Sequence, residues 1–313
     1  MYRRVALFMV VSVAWVFGTD CSMSVTAGEK TTTSQFHFAV TDYSDFKKMP
    51  KPKLGDWLYS FRDEEKHEPF KKYIEFKVNG PDGEQDVLII QPIGEFPEDM
   101  SGVLEAMREL SSIWFNCPAV IAEAVPVPDV PKKNKRERSW GKKKWIQYDA
   151  NYLLDEFLKK KLAFDAWVYV GVTMEDLWSD ELNFVFGLST YYDRVAIHSL
   201  SRYCPEFYGW RVAEKNKKLK LMRCLATMVH ETGHSLAMPH CVRYMCCMNG
   251  SNSLAESDRQ PIYLCPNCLH KVHHGTGFDI LERYDELRAF FTKHGFAKEA
   301  AWYATRAAKI REH

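Results

Sequence analysis

His230, Glu231 and His234 stand in the order His-Glu-x-x-His, and His240 follows six residues after His234. Residues four apart project from one face of a helix, so both imidazoles can reach a single ion. Glu231 is turned about 100° around the helix from His230. Its carboxylate can therefore address a water on that ion without binding the ion itself. Three neutral imidazoles fill three of the four positions that zinc prefers and leave one open, whereas structural zinc sites close all four. The chemistry this spacing points to is the activation of water. His230, His234 and His240 would be the ligands, and Glu231 the base that takes the proton.

The elements that must carry these residues are legible around them. Over residues 219–236, Leu221, Leu225, Met228, Val229, Thr232 and Leu236 fall on one side of a helix, nearly opposite His230 and His234. One face is set for a sheet and the other for a cleft. Upstream, residues 86–92, 119–127, 165–172, 183–186 and 195–200 read as strands, and residues 98–115 and 148–162 as helices. Strands alternating with helices predict an α/β (α+β) fold with a mostly parallel sheet. The last two strands are joined by too short a connection to run parallel, so one of them is an antiparallel edge. Residues 277–291 and 298–310 read as two further helices.

Cysteines and a methionine follow the third histidine in a fixed order: Cys241, Cys246, Met248, Cys265 and Cys268. With the histidine motif, this set resembles the archaemetzincin family of metzincin-type zinc metallopeptidases. The resemblance extends through residues 165–187 and 277–287 and covers most of residues 85–290. It implies a catalytic subdomain over residues 85–240 and a smaller C-terminal subdomain over residues 241–313. It implies two zinc ions per chain, one catalytic at the histidines and one structural at Cys241, Cys246, Cys265 and Cys268. Met248 would be the Met-turn residue, an apolar floor beneath the catalytic ion. Residues 183–187 would be the edge strand bordering the cleft and pairing with extended substrate. The expected activity is hydrolysis of peptide bonds in peptides or proteins, with aminopeptidase-like action among its forms. The chain departs from the family at Ala237, where a glycine usually lets the backbone turn through positive φ. For the four cysteines, two disulfides are the alternative to a metal. For the whole chain, the alternative is a catalytically inactive, zinc-stabilised binding protein on the same fold.

Composition narrows the partners. A formal charge of +1 gives no argument for a nucleic-acid partner. The eight Lys and Arg of residues 131–145 read as a solvated surface loop. Tyr2, Arg3 and Arg4 precede an apolar run over residues 5–18 and a small-residue site ending at Ala27. That is the anatomy of a signal peptide over residues 1–27. It predicts a mature chain from Gly28, a secreted or periplasmic location and no stable membrane insertion afterwards, with an uncleaved anchor as the alternative. Residues 28–84 show no clear period and read as an irregular extension wrapping the domain, with an inhibitory pro-segment as the alternative. Of nine cysteines, Cys21 would leave with the signal peptide. Cys117, Cys204, Cys224 and Cys247 remain, with Cys224 on the apolar side of the active-site helix. His270, His273 and His274 read as surface residues.

Overall fold

The computed structural model describes residues 30–76, 78–180, 182–209 and 214–313. The expected signal peptide, its cleavage point before Gly28 and Cys21 lie outside them. Among the described residues no helix is long and apolar enough to cross a membrane.

The main sheet begins with β1 (Val87–Ile93), crosses over through helix Ser101–Phe115 and returns as β2 (Ala119–Ile121). A hairpin follows, β3 (Lys135–Trp140) and β4 (Lys143–Asp149), then a helical segment over residues 150–161. Next come β5 (Ala166–Thr173), β6 (Asp176–Trp178), β7 (Gly187–Ser189) and β8 (Val195–Ser199). The five-stranded sheet has the order β2-β1-β5-β8-β7, with only β7 antiparallel to its neighbour. Every residue of β5 is buried, because each face of the sheet is covered. Val168, Val170, Val172 and Ala196 meet one apolar cluster with helix Ser101–Phe115 and the active-site helix, Glu214–Ser235. Tyr169, Val195 and Ile197 meet the other with Leu153, Leu154 and Leu158. The first cluster runs on without a break into the C-terminal helices Pro266–Thr276, Ile280–Lys293 and Ala297–Arg311.

Four expectations are corrected here. Residues 131–145 are not a loop: β3, β4 and β6 form a second, three-stranded sheet. Alternate side chains on the hairpin turn inward. The Arg136 guanidinium lies 4.4 Å over Trp178, and Trp145 Nε1 donates to Asp176 at 2.8 Å. Gly141, at φ +59°, makes the two-residue turn. The helix expected from residue 148 starts after β4 for the same reason.

The antiparallel edge strand is Gly187–Ser189, not residues 183–187. The Asn183 carbonyl is already taken by Arg136 and Gln147, which ties that stretch to the second sheet. Lastly, His270 and His273 are half-buried. His270 stacks on Phe70 with ring centroids 3.4 Å apart, and His273 packs on Phe36. Burial, with the neighbouring histidines, pushes His270 down to about 4. Only His274 is exposed.

The covering groups come from the N-terminal extension. Its helix Thr33–Thr41 is held by a capping box between Thr32 and Gln35. Arg306, 1% exposed, donates to the Asp45 carboxylate at 2.8 Å and also binds Asp42 and the Ala39 carbonyl. The extension is thus tied to the last helix rather than trailing from the domain.

Candidate active site

The active-site helix buries Leu225, Met228, Val229 and Thr232 completely, and Leu236 just past its end is buried with them. Its opposite face opens on a cleft of about 510 Å³ lined by His230, Glu231, His234 and His240. The helix ends at Ser235, and Ala237 takes φ +59°. That left-handed residue turns the chain so that His240 comes back beside the helix. Alanine there costs roughly 1 kcal/mol against glycine. Ala237→Gly is expected to raise the stability of the metal-free protein by about 0.5–1 kcal/mol, less than the full strain because glycine also loosens the unfolded chain. Thermal melts check this, and a lower Tm would show that the strain lies elsewhere.

The three imidazoles converge. Their candidate ligand atoms lie within 4.8 Å of one another, and the Nε2 atoms of His230 and His234 are 3.1 Å apart. His230 Nδ1 donates to the Cys247 carbonyl at 2.8 Å, and His234 Nδ1 to the Met238 carbonyl at 2.7 Å. A carbonyl only accepts, so both Nδ1 atoms carry the proton. Burial, with His240, pushes His230 down to about 4, and burial, with His230 and His240, holds His234 well below the ordinary imidazole range. Two neutral rings therefore point Nε2 lone pairs at each other with no proton between them. A cation there turns a repulsion into two bonds. The donor set fits zinc, with an outer hydrogen bond on each ring fixing its tautomer. His240 Nδ1 lies 2.6 Å from Glu65 Oε1. Burial pushes the Glu65 carboxyl up, but its bonds to His240 and Trp57 outweigh that and hold it below its ordinary value.

Glu231 stands beside this set. Burial pushes its carboxyl from 4.5 up to about 8. A neighbouring cation opposes that shift and favours the ionised form a base requires. The carboxylate is pressed against the backbone of Gly187, where an added Cβ would lie 2.6 Å from Glu231 Cγ. Glycine begins β7 because the Glu231 side chain occupies the space a Cβ would need. Ser189 at the other end of β7 meets the Ser235 hydroxyl at 3.1 Å, so strand and helix are joined. Tyr191 stands edge-on to His234 at 5.6 Å.

Met248 is buried beneath the helix. A Cβ at Gly233 would lie 2.7 Å from its sulfur, so Gly233 admits this floor. The four cysteines come together as the sequence implies. All are buried and their sulfurs lie within 4.8 Å of one another. Cys241 and Cys265 are 3.7 Å apart, far beyond the ~2.05 Å of a disulfide. Bonds from the Cys246, Cys265 and Cys268 thiols hold Cys241 well below the ordinary thiol range. Four sulfurs so placed fit a closed tetrahedral zinc site. Cys247 is not part of this group, and burial pushes its thiol up to about 12. Burial likewise raises Cys117 to about 12, Cys204 to about 11 and fully buried Cys224 further, the behaviour of inert core thiols.

The two clusters share one short stretch. Cys246 belongs to the sulfurs, the Cys247 carbonyl orients His230 and Met248 supports the helix. Asn249 then clamps the loop, accepting from Cys246 N at 2.7 Å and donating to the carbonyls of Cys241 and Tyr244. Glu65, Gly187 and the two orienting carbonyls have no motif in the sequence. Only its place as the last residue of the expected edge strand, 183–187, hinted at Gly187.

Residues 102–274 match the model of peptidase family M54. Archaemetzincin-2 of Macaca fascicularis is 43% identical over 165 residues, which are 45% of this chain and 46% of that protein. The chain thus spans about half the length of that relative. Archaemetzincin of Pyrococcus furiosus is 32% identical over 193 residues, 62% of this chain and 95% of that protein. The crystal structure of archaemetzincin from Archaeoglobus fulgidus is 25% identical, with a TM-score of 0.46, covering 59% of this chain and 99% of that one.

Proposed function

The chain belongs to peptidase family M54, the archaemetzincins, and from that premise we propose that it hydrolyses peptide bonds with a zinc ion held by His230, His234 and His240. The observation that carries the reading is the convergence of three imidazoles whose Nδ1 atoms are already engaged. Zinc in that set supplies Lewis acidity, which acidifies water and polarises a carbonyl.

The remaining work falls to the chain. Glu231 takes the proton from the attacking water and delivers it to the leaving nitrogen. The outer edge of β7 offers backbone groups to an extended peptide, fixing the scissile bond beside Glu231. Gly187 keeps that edge close enough for strand and base to act on one bond. Cys241, Cys246, Cys265 and Cys268 hold a second, structural zinc. Among the described residues lining the cleft, Glu231 is the only carboxylate. With that group committed to the water, no carboxylate among these described residues is free to hold a peptide's α-amine, and the reading is cleavage at internal bonds. On the expected leader over residues 1–27, the proposed location is secreted or periplasmic, with an uncleaved N-terminal anchor as the alternative.

A peptide library incubated with the full chain and read by mass spectrometry tests this. Acetylated and free peptides should both be cut, chelator should abolish cleavage and added zinc should restore it. Chelator-resistant cleavage, or no cleavage by zinc-loaded protein, overturns the reading. Loss of cutting on acetylation alone overturns only the preference for internal bonds.

A further inference from the structure

The third ligand differs from the other two in what holds it. His230 and His234 are carried by a helix and donate to backbone carbonyls of their own neighbourhood. His240 lies beyond the left-handed turn at Ala237, in chain that is neither helix nor strand. Its Nδ1 faces a carboxylate 175 positions earlier, Glu65, at 2.6 Å. Glu65 comes from the N-terminal extension, outside the residues that match the peptidase family. The two side chains are 16% and 17% exposed, so the bond is largely shielded from water.

The extension is fastened on both sides of Glu65. Trp57 Nε1 donates to the same Glu65 oxygen at 3.3 Å, and the Trp57 ring stands edge-on to His240 at 5.1 Å. The Trp57 backbone N–H is gripped by the Glu256 carboxylate at 2.9 and 3.1 Å. On the far side of Glu65, Glu68 pairs with buried Lys271 at 2.7 Å and Phe70 N donates to Asn267 at 2.9 Å. Glu65 is thus pinned from both directions with an oxygen aimed at one ring nitrogen.

We propose that Glu65 is a positioning residue for the catalytic metal: it fixes the tautomer and the direction of His240, so that the N-terminal extension completes the ligand set rather than blocking it. A carboxylate acceptor gives a charge-assisted bond, stronger than one to a neutral carbonyl. It also makes the opposite ring nitrogen a better donor to a metal. The inference rests on the reading of His230, His234 and His240 as the catalytic ligands.

Chelator competition on the full chain tests it, together with visible absorption of the cobalt-substituted protein. Glu65→Ala should weaken the labile zinc, the one expected at the three histidines with their open fourth position, by about 10- to 100-fold, and Glu65→Gln, which keeps a neutral acceptor, by less. The cobalt spectrum of Glu65→Ala should shift. Glu68→Gln, which loosens the same segment without touching His240, should change affinity by less than about twofold. Unchanged affinity in Glu65→Ala overturns the proposal. Equal weakening by Glu65→Ala and Glu68→Gln also overturns it, since any loosening would then suffice. Wild-type protein that binds no labile zinc overturns the three-histidine reading itself, and this inference with it.

Discussion

Replacing Glu231 with glutamine is expected to lower kcat by about 10²- to 10⁴-fold and to leave the zinc content unchanged. The carboxylate is outside the set of converging ligand atoms, so its loss removes the base and not the metal. Gly187→Ala should act in the same direction from the opposite wall. Its new Cβ would sit 2.6–2.7 Å from Glu231 Cγ, Cδ and Oε1, and the base has to move. Stability gives a separate readout. In metal-free protein the folded carboxyl titrates at about 8 against an ordinary 4.5. The fold then binds a proton that the unfolded chain has lost, so stability declines as pH rises from 4.5 to about 8. Glu231→Gln removes that decline, and thermal melts across the window will show it. Should Glu231→Gln keep more than about a tenth of the wild-type rate, the base lies elsewhere.

The second large effect concerns the sulfur cluster. Wild-type protein should carry two zinc ions per chain, and Cys268→Ser should release both. The argument is the shared stretch from Cys246 to Asn249. A ligand of one site, the orienting carbonyl of the other and the apolar floor are consecutive residues. Structural zinc contributes on the order of 10 kcal/mol in small metal-dependent domains. Here a continuous apolar core shares that burden, so the chain should stay folded with a Tm lower by roughly 10 °C or more. Elemental analysis and thermal melts measure both. A variant that keeps one zinc at the histidines and melts like wild type would show that the cluster clamps nothing.

The parts of the site that were legible in the sequence are those written in local spacing. His230 and His234 are set by the helical repeat, and the buried face of their helix is set by Leu225, Met228, Val229 and Thr232. Even the strain at Ala237 follows from a residue type at one position. The parts that were not legible depend on contacts between distant residues. Glu65 looks like any acidic residue of a polar segment until the fold brings it 2.6 Å from His240. The hairpin was hidden by its charges. Eight Lys and Arg mask the alternation that sends Arg136, Trp145 and Gln147 inward against Asp176 and Trp178. The edge strand was misplaced because the apolar run of residues 184–186 suggests a strand, while backbone pairing chose the three residues after it.

The bond from Glu65 to His240 has a consequence in time. The segment bearing Glu65 is held by Glu256, Asn267 and Lys271, and the chain before it by Arg306. A ribosome releases the early residues first, but their anchors emerge last. Contacts of such sequence separation form slowly, after local helices and neighbouring strands. The nascent chain therefore carries its histidines before it carries all the anchors of the Glu65 segment. If Glu65 positions His240 as proposed, the proposed hydrolysis waits on these long-range contacts and is expected only at the close of folding.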